Sequence, residues 1–112
     1  MPTDLSQQPQ SQACRLIDFS DAEVRSMFLN NTYILIVVGT KPYSNMDVML
    51  VPRIYVEQPE FWEIEVVGCL NGLGLPAEAP FHVSLPLSSC RGKKGIDVIG
   101  MTSRKRFEIA GG

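Results

Sequence analysis

The segment FWEIEVVGCL, residues 61–70, decides the fold class. Its first half alternates between large apolar side chains and glutamates, in the order Trp62, Glu63, Ile64, Glu65, Val66. An alternation of period two is typical of a β-strand with one buried and one solvent-facing side. We therefore predict a strand over 61–70, with the apolar side chains packed in a core.

A second segment, YILIVV at residues 33–38, is apolar without interruption. Such a run of strand length suits a strand that is buried on both faces. Upstream of it, Ser20 and Glu23 have the spacing of a helix capping box. Val24, Met27 and Phe28 follow at i, i+3 and i+4, the spacing of one apolar helix face. This pattern predicts one short N-terminal helix that ends at residues 30–31.

The rest of the chain contains further strand-like segments at residues 14–19, 48–56, 81–87, 96–101 and 104–109. Pro52 and Pro86 interrupt two of them, which favours edge strands because proline cannot donate to a sheet ladder. The last two segments are closely spaced and predict a hairpin. Strands follow strands without intervening helices, so the sheet should be mostly antiparallel. We predict a mainly β (or α+β) fold, a small antiparallel barrel or strongly bent sheet of about six strands with the short helix.

Composition divides the chain into three parts. Residues 1–13 are rich in Gln, Ser and Pro and poor in apolar groups, which predicts a disordered tail. Residues 14–110 should form one β-rich domain, and residues 111–112 a flexible Gly-Gly end. The terminal sequence IAGG, residues 109–112, looks like the end of ubiquitin-like sulfur carriers, whose last glycine is activated as a thiocarboxylate. Those carriers place their helix centrally, unlike the order predicted here, so no family is assigned.

Cysteine usage and hydropathy bear on the compartment. No apolar run approaches the roughly 18 residues of a membrane-spanning helix. The first residues are polar and acidic and lack the basic start of a signal peptide. Cys14, Cys69 and Cys90 are an odd three without metal-ligand spacing. These features predict a cytoplasmic protein with reduced thiols.

Charge is distributed unevenly along the chain. The net charge is −2, yet residues 1–90 carry 4 basic and 10 acidic side chains, whereas residues 91–112 carry 6 basic and 2 acidic ones. The six basic side chains are our candidates for partner binding: Arg91, Lys93, Lys94, Arg104, Lys105 and Arg106. Arg104 and Arg106, two apart on a strand, should share one face, and Lys105 should point to the other.

No motif in the sequence assigns a function. The absence of a metal set, a cofactor loop and a catalytic spacing favours a small non-enzymatic binding or adaptor protein that contacts another protein. The alternative is a small enzyme with a cleft at the barrel mouth, using His82 with Glu63 or Asp97 as acid–base groups. A minor alternative is phosphate or nucleic-acid binding through the basic C-terminal hairpin. We assign no catalytic, cofactor-binding or metal-binding residue and leave the oligomeric state open.

Overall fold

The computed structural model describes residues 13–27 and 32–109, and this part of the chain is folded into eight β-strands without a helix. The strands are β1 (Ala13–Leu16), β2 (Asp21–Ser26), β3 (Tyr33–Lys41), β4 (Asp47–Pro52), β5 (Phe61–Leu70), β6 (Ala79–Pro86), β7 (Gly95–Ile99) and β8 (Arg104–Glu108). The predicted tail and the Gly-Gly end lie outside the described residues, except that Ala13 begins β1.

The alternating segment that decides the fold class is the centre of a five-stranded sheet. Strand β4 pairs with one edge of β5. The other edge is shared: β7 runs parallel to residues 61–65, and β1 runs antiparallel to residues 67–70. Strand β8 completes the sheet beyond β7 as an antiparallel hairpin partner, which confirms the predicted hairpin. Five of the six described strand pairs are antiparallel.

The uninterrupted apolar segment is the centre of a second sheet, in which β3 lies between β2 and β6 with antiparallel pairing on both sides. The two sheets enclose a shared core. Fully buried side chains come from both layers: Leu35, Val37, Ile64, Val66, Ile96 and Val98. The predicted packing of apolar side chains from the two segments in one core is therefore confirmed for Ile64 and Val66 with Leu35 and Val37.

The predicted N-terminal helix is wrong, because its central residues form β2. Residues 21–26 pair with residues 33–38 in a continuous antiparallel register. Ala22 is buried and Val24 half-buried, so the segment also has an i, i+2 apolar pattern. Phe28 and the predicted helix end lie outside the described residues. Pairing with a strongly apolar strand nearby overrides the local capping pattern.

Of the two predicted architectures, a small antiparallel barrel or a strongly bent sheet, the closed barrel is wrong. The described strands form two separate sheets, and no strand of one sheet pairs with a strand of the other. The two proline-containing strands, β4 and β6, each pair on one side only, as predicted for edges. Strand β4 ends at Pro52 rather than at residue 56, and one further backbone bond, from the N–H of Arg53 to the carbonyl of Glu63 at 2.9 Å, follows it.

Burial departs from the predictions in two places. Strand β3 is buried on one side only, because Ile34, Ile36 and Val38 lie half-exposed on the outward side of their sheet. Trp62 is half-buried rather than enclosed, and its indole N–H donates to the carbonyl of Arg53 at 2.9 Å.

The prediction of three reduced thiols is contradicted by a disulfide between Cys14 and Cys69. The two residues lie directly opposite each other in the β1–β5 pair, with Cα atoms 4.1 Å apart. They are 55 residues apart in sequence, so only the strand register brings them together. Cys90 is a free, buried cysteine.

None of the described residues forms a helix of sufficient length and apolar character to span a membrane.

Candidate functional site

An ion-pair cluster covers part of the outward side of the five-stranded sheet, and Asp97 is its centre. Asp97 lies opposite Arg106 across the β7–β8 pair and beside Glu63 across the parallel β5–β7 pair. Arg106 donates from Nε and one terminal nitrogen to the two oxygens of Asp97, at 2.7 and 2.8 Å. Arg104 donates to Asp97 and to Glu63, at 3.2 Å each. Both arginines predicted as contact residues are thus engaged by carboxylates.

The cluster continues toward β4 through Arg53. Its guanidinium lies 3.1 Å from Glu63 and 3.3 Å from Glu65. We call the six side chains together the arginine–carboxylate cluster: Arg53, Glu63, Glu65, Asp97, Arg104 and Arg106. Three positive and three negative groups balance, so the charges of Arg104 and Arg106 are paired within the sheet face.

The environment of Asp97 fixes its protonation state. Its hydrogen bond from Arg106 lowers the pKa of the carboxyl group, and a second bond from Arg104 adds to this against the opposing effect of burial. Asp97 is only 2% exposed because the arginines cover it. A carboxylate with a lowered pKa is a weak base near neutral pH, so this arrangement is suited to holding the sheet face together rather than to proton transfer.

Of the residues named for the enzyme alternative, Glu63 and Asp97 lie side by side, but His82 is in the other sheet. His82 is exposed on β6, in the three-stranded sheet, where it lies opposite Val38. Glu63 and Asp97 lie on the outward side of the other sheet. A shallow pocket of about 200 Å³ beside His82 includes Asp21 and Glu23. Asp21 is bonded to Lys105.

Lys105 points away from its two arginine neighbours, as the strand alternation predicted. Its ammonium group donates to Asp21 at 3.2 Å and to the carbonyl of Ala22 at 3.0 Å. Phe107, on the same side of β8, packs against the core. Lys105 therefore ties the edge of one sheet to the edge of the other.

The remaining candidates, Arg91, Lys93 and Lys94, lie at one end of the molecule. Two loops meet there, residues 53–60 before β5 and residues 87–94 before β7, and we call them together the loop end. The backbone N–H groups of Lys93 and Lys94 donate to the carbonyls of Pro59 and Glu60, at 2.8 and 2.7 Å. The Gln58 side chain donates to the carbonyl of Arg91 at 2.8 Å. These bonds hold the two loops side by side.

The basic side chains of the loop end differ in their contacts. The guanidinium of Arg91 lies 5.2 Å from the ring centre of Tyr33, a cation–π contact. Lys94 forms an ion pair with Glu60 at 3.5 Å in which both side chains are more than 60% exposed. Exposed pairs of this kind add little stability. Lys93 is exposed.

The loop end also carries the two most exposed large apolar side chains of the described residues. Ile54 is 98% exposed and Val56 103% exposed. Tyr55, between them, turns inward and packs edge-to-face on Trp62, with ring centres 5.2 Å apart. Its hydroxyl accepts a hydrogen bond from the backbone N–H of Glu63 at 3.3 Å. The loop therefore presents Ile54 and Val56 from an anchored backbone.

Sequence reasoning missed Ile54 and Val56 because it placed them in a strand. Pro52 was the available signal: a strand that ends at a proline leaves the following β-branched residues in a loop. It also missed Asp97 as the partner of the arginines, although the predicted hairpin of β7 and β8 places Asp97 opposite Arg106.

Among the described residues, no cluster of His, Cys, Asp or Glu side chains is arranged to hold a metal ion. A comparison of the chain with known protein families, with curated proteins and with solved structures finds no match.

Proposed function

We propose that the protein is a non-catalytic binding module that docks a protein partner at the loop end. The observation that carries the proposal is the full exposure of Ile54 and Val56 on an anchored loop. The bond network of the arginine–carboxylate cluster supports it indirectly, because it commits Arg104 and Arg106 to the fold and leaves the loop end as the basic surface.

The two apolar side chains fit the role of contact anchors. Ile54 and Val56 stand on either side of Tyr55, whose ring turns inward, and both are fully exposed, so together they present apolar surface at the loop end. Complete exposure of two large β-branched side chains costs free energy in water that burial against a partner would recover. Apolar groups of this kind, with polar residues around them, are typical of protein contact sites.

The loop of residues 53–60 is held in place in the free protein, which favours binding. The edge-to-face packing of Tyr55 on Trp62 and the bond from Trp62 to the carbonyl of Arg53 fix both sides of Ile54. A contact loop that is already ordered loses less conformational entropy when it binds. The loop end is therefore organised before any partner arrives.

Charge indicates the kind of partner. Apart from Arg53, which is paired within the arginine–carboxylate cluster, the loop end contains three basic and two acidic side chains, on a protein whose net charge is −2. Arg91, Lys93 and Lys94 lie in the loop that is hydrogen-bonded to residues 58–60 of the loop carrying Ile54 and Val56. An acidic surface with a small apolar cleft would match this pattern, and opposite charge would steer and orient the encounter.

The test compares two matched double variants in affinity capture from an extract of the source cell. Ile54→Asp with Val56→Asp changes the proposed anchors. Leu73→Asp with Leu75→Asp changes two exposed leucines, 90% and 56% exposed, in the loop that follows β5 at the opposite end of the same strand.

We expect the wild type and the leucine variant to retain one common set of proteins at comparable amounts by quantitative mass spectrometry. The Ile54/Val56 variant should lose most of that set while its thermal unfolding stays within a few degrees of the wild type. Equal capture by all three proteins would contradict the proposal.

The compartment belongs to the same proposal. Composition favours the cytoplasm, whereas persistent disulfides are typical of oxidising compartments. The two observations agree if the Cys14–Cys69 bond is made and broken in the folded protein.

A further inference from the structure

Besides its short backbone ladder with residues 67–70 of β5, strand β1 is held by two further attachments. Cys14, near its start, is joined covalently to Cys69. At its other end, Ile17 is 4% exposed and donates its N–H to the carbonyl of Val66 at 3.0 Å. Asp18 accepts three hydrogen bonds from the β7–β8 turn, from the N–H and hydroxyl of Thr102 and the N–H of Ser103, at 2.6 to 2.9 Å. The strand therefore has a noncovalent anchor at residues 17–18 and a covalent lock at Cys14.

Between the anchor and the lock, β1 buries little. The first three of its four residues are exposed, and Leu16 is half-buried. A segment with so few buried apolar contacts opens at low free energy once its covalent tie is removed. Apart from the short ladder with β5, the disulfide is thus the main attachment of this part of β1.

The two sulfur-bearing residues differ in access. Cys14 is an exposed residue, whereas Cys69 is 3% exposed. An incoming thiolate therefore approaches from the side of Cys14. We propose that the Cys14–Cys69 disulfide is a reversible thiol-exchange site, with a dithiol reductant of the thioredoxin class as its reactant, and that its state controls whether β1 stays docked on β5.

The exchange is balanced in atoms and electrons. The reductant's thiolate attacks Sγ of Cys14, the Cys14–Cys69 bond breaks, and Cys69 leaves as a thiolate that takes up a proton. The reductant's second thiol then attacks the mixed disulfide, which releases Cys14 as a thiol. Two electrons pass from the dithiol, which becomes a disulfide, to the protein, which gains two thiols.

Release of β1 would uncover two kinds of surface. Residues 67–70 of β5 would lose their pairing partner on that edge, since β7 reaches only residues 61–65. A pocket lined by Cys14, Tyr43, Met46 and Leu70, among others, would open on one side. Met46 is 1% exposed in the docked state. The reduced form would thus present an apolar strip beside a free strand edge.

Cys90 provides an internal reference for the experiment. It is buried, and burial raises the pKa of its thiol, which slows its reaction with thiol reagents in the folded state. Cys90 remains a free thiol in both redox states, so it contributes one alkylated thiol to the count before and after reduction.

The test treats the folded, full-length protein with thioredoxin, its reductase and NADPH. After denaturation, alkylation should label one thiol before treatment and three after it. Amide exchange in the native state should quicken at least tenfold in residues 13–16 and 67–70. The β2–β3 pair should keep its protection. Cys14→Ser should show the same exchange pattern without reductant, and Cys90→Ser should respond as the wild type does.

Other outcomes would overturn the proposal. Three thiols before treatment would show that the bond does not form. One thiol after treatment would show that the folded protein excludes the reductant. Unchanged exchange in the reduced protein would mean that β1 docks without the lock, and simultaneous loss of protection in all strands would mean that reduction unfolds the whole domain.

Discussion

Asp97 and Arg106 face each other across the β7–β8 hairpin and are joined by two parallel hydrogen bonds of 2.7 and 2.8 Å. The same guanidinium lies 3.9 Å above the ring centre of Phe61. One side chain of β8 therefore contacts two strands of its sheet at once. A bidentate arginine–carboxylate pair stacked on an aromatic ring is a geometry that lysine cannot reproduce.

Removal of the central carboxylate should destabilise the domain. In Asp97→Asn, the bonds from Arg104 and Arg106 lose their charged acceptor, and we expect the free energy of unfolding to fall by about 1–3 kcal/mol. Urea denaturation at pH 7 measures it. Glu78→Gln, an exposed loop substitution, is the control and should stay within about 0.5 kcal/mol of the wild type. If Asp97→Asn lowers the free energy of unfolding no more than Glu78→Gln does, the pairs of Asp97 with the two arginines do not stabilise the domain.

Low pH should remove the contributions that two carboxylates make to folding stability. The pKa of Asp18 is lowered chiefly by the backbone hydrogen bond from Thr102, and that of Asp97 chiefly by the bond from Arg106. A depressed folded-state pKa contributes stability above the unfolded value of about 3.9, and this stability is lost as the pH falls through the folded value.

The stability difference between the wild type and Asp18→Asn with Asp97→Asn should therefore be constant from pH 7 to 5 and shrink progressively below about pH 4. Urea unfolding across that range measures the difference. A stability difference between the wild type and the double variant that stays the same below pH 4 would show that these two carboxylates do not have lowered pKa values in the folded protein.

Gly95 should tolerate no side chain. Its φ is +153°, and a Cβ there would meet the carbonyl oxygen of Phe107 in the paired strand. Gly95→Ala should cost more than about 2 kcal/mol through this clash and backbone strain. Gly72→Ala is the matched control: φ is +89°, and nothing lies within 4 Å of the added Cβ. Its cost should be about 1 kcal/mol. Thermal unfolding compares the stability of the two variants. Equal losses of stability would contradict the close approach of Gly95 to the carbonyl of Phe107.

Much of the fold could be predicted from periodicity. The alternation in residues 61–70, the apolar run at 33–38 and the C-terminal hairpin all became strands in the expected places. The predicted helix failed because Ser20, Glu23 and Val24 satisfy local helix rules while pairing with β3 decides their conformation. The Cys14–Cys69 bond could not be predicted because it depends on the register between two strands far apart in sequence.

The candidate site was predicted in part. Alternation correctly put Arg104 and Arg106 on one face and Lys105 on the other. Asp97 could have been found from the register of the predicted hairpin, which places it opposite Arg106, whereas Glu63 meets Arg104 only through the parallel β5–β7 pair. The exposure of Ile54 follows from where β4 ends, a boundary that local sequence patterns locate poorly.

Loss of the Tyr55 ring should loosen the proposed contact loop without unfolding the sheets. In Tyr55→Ala the edge-to-face contact with Trp62 disappears, so residues 53–58 should show lower NMR order parameters and faster amide exchange. Tyr55→Phe keeps the ring and should leave the order parameters and the amide exchange of residues 53–58 nearly unchanged. If Tyr55→Ala leaves the loop as rigid as before, the anchor lies elsewhere.

The most direct test of the central claim is the hydrogen-exchange footprint of a captured partner on the wild-type protein. Residues 53–60 and 87–94 should gain protection in the complex, and added salt should weaken binding because basic side chains border the contact. The loop at residues 71–78 and the outward side of the three-stranded sheet should exchange as in the free protein. Protection confined to either of those surfaces, with the loop end unchanged, would contradict the account.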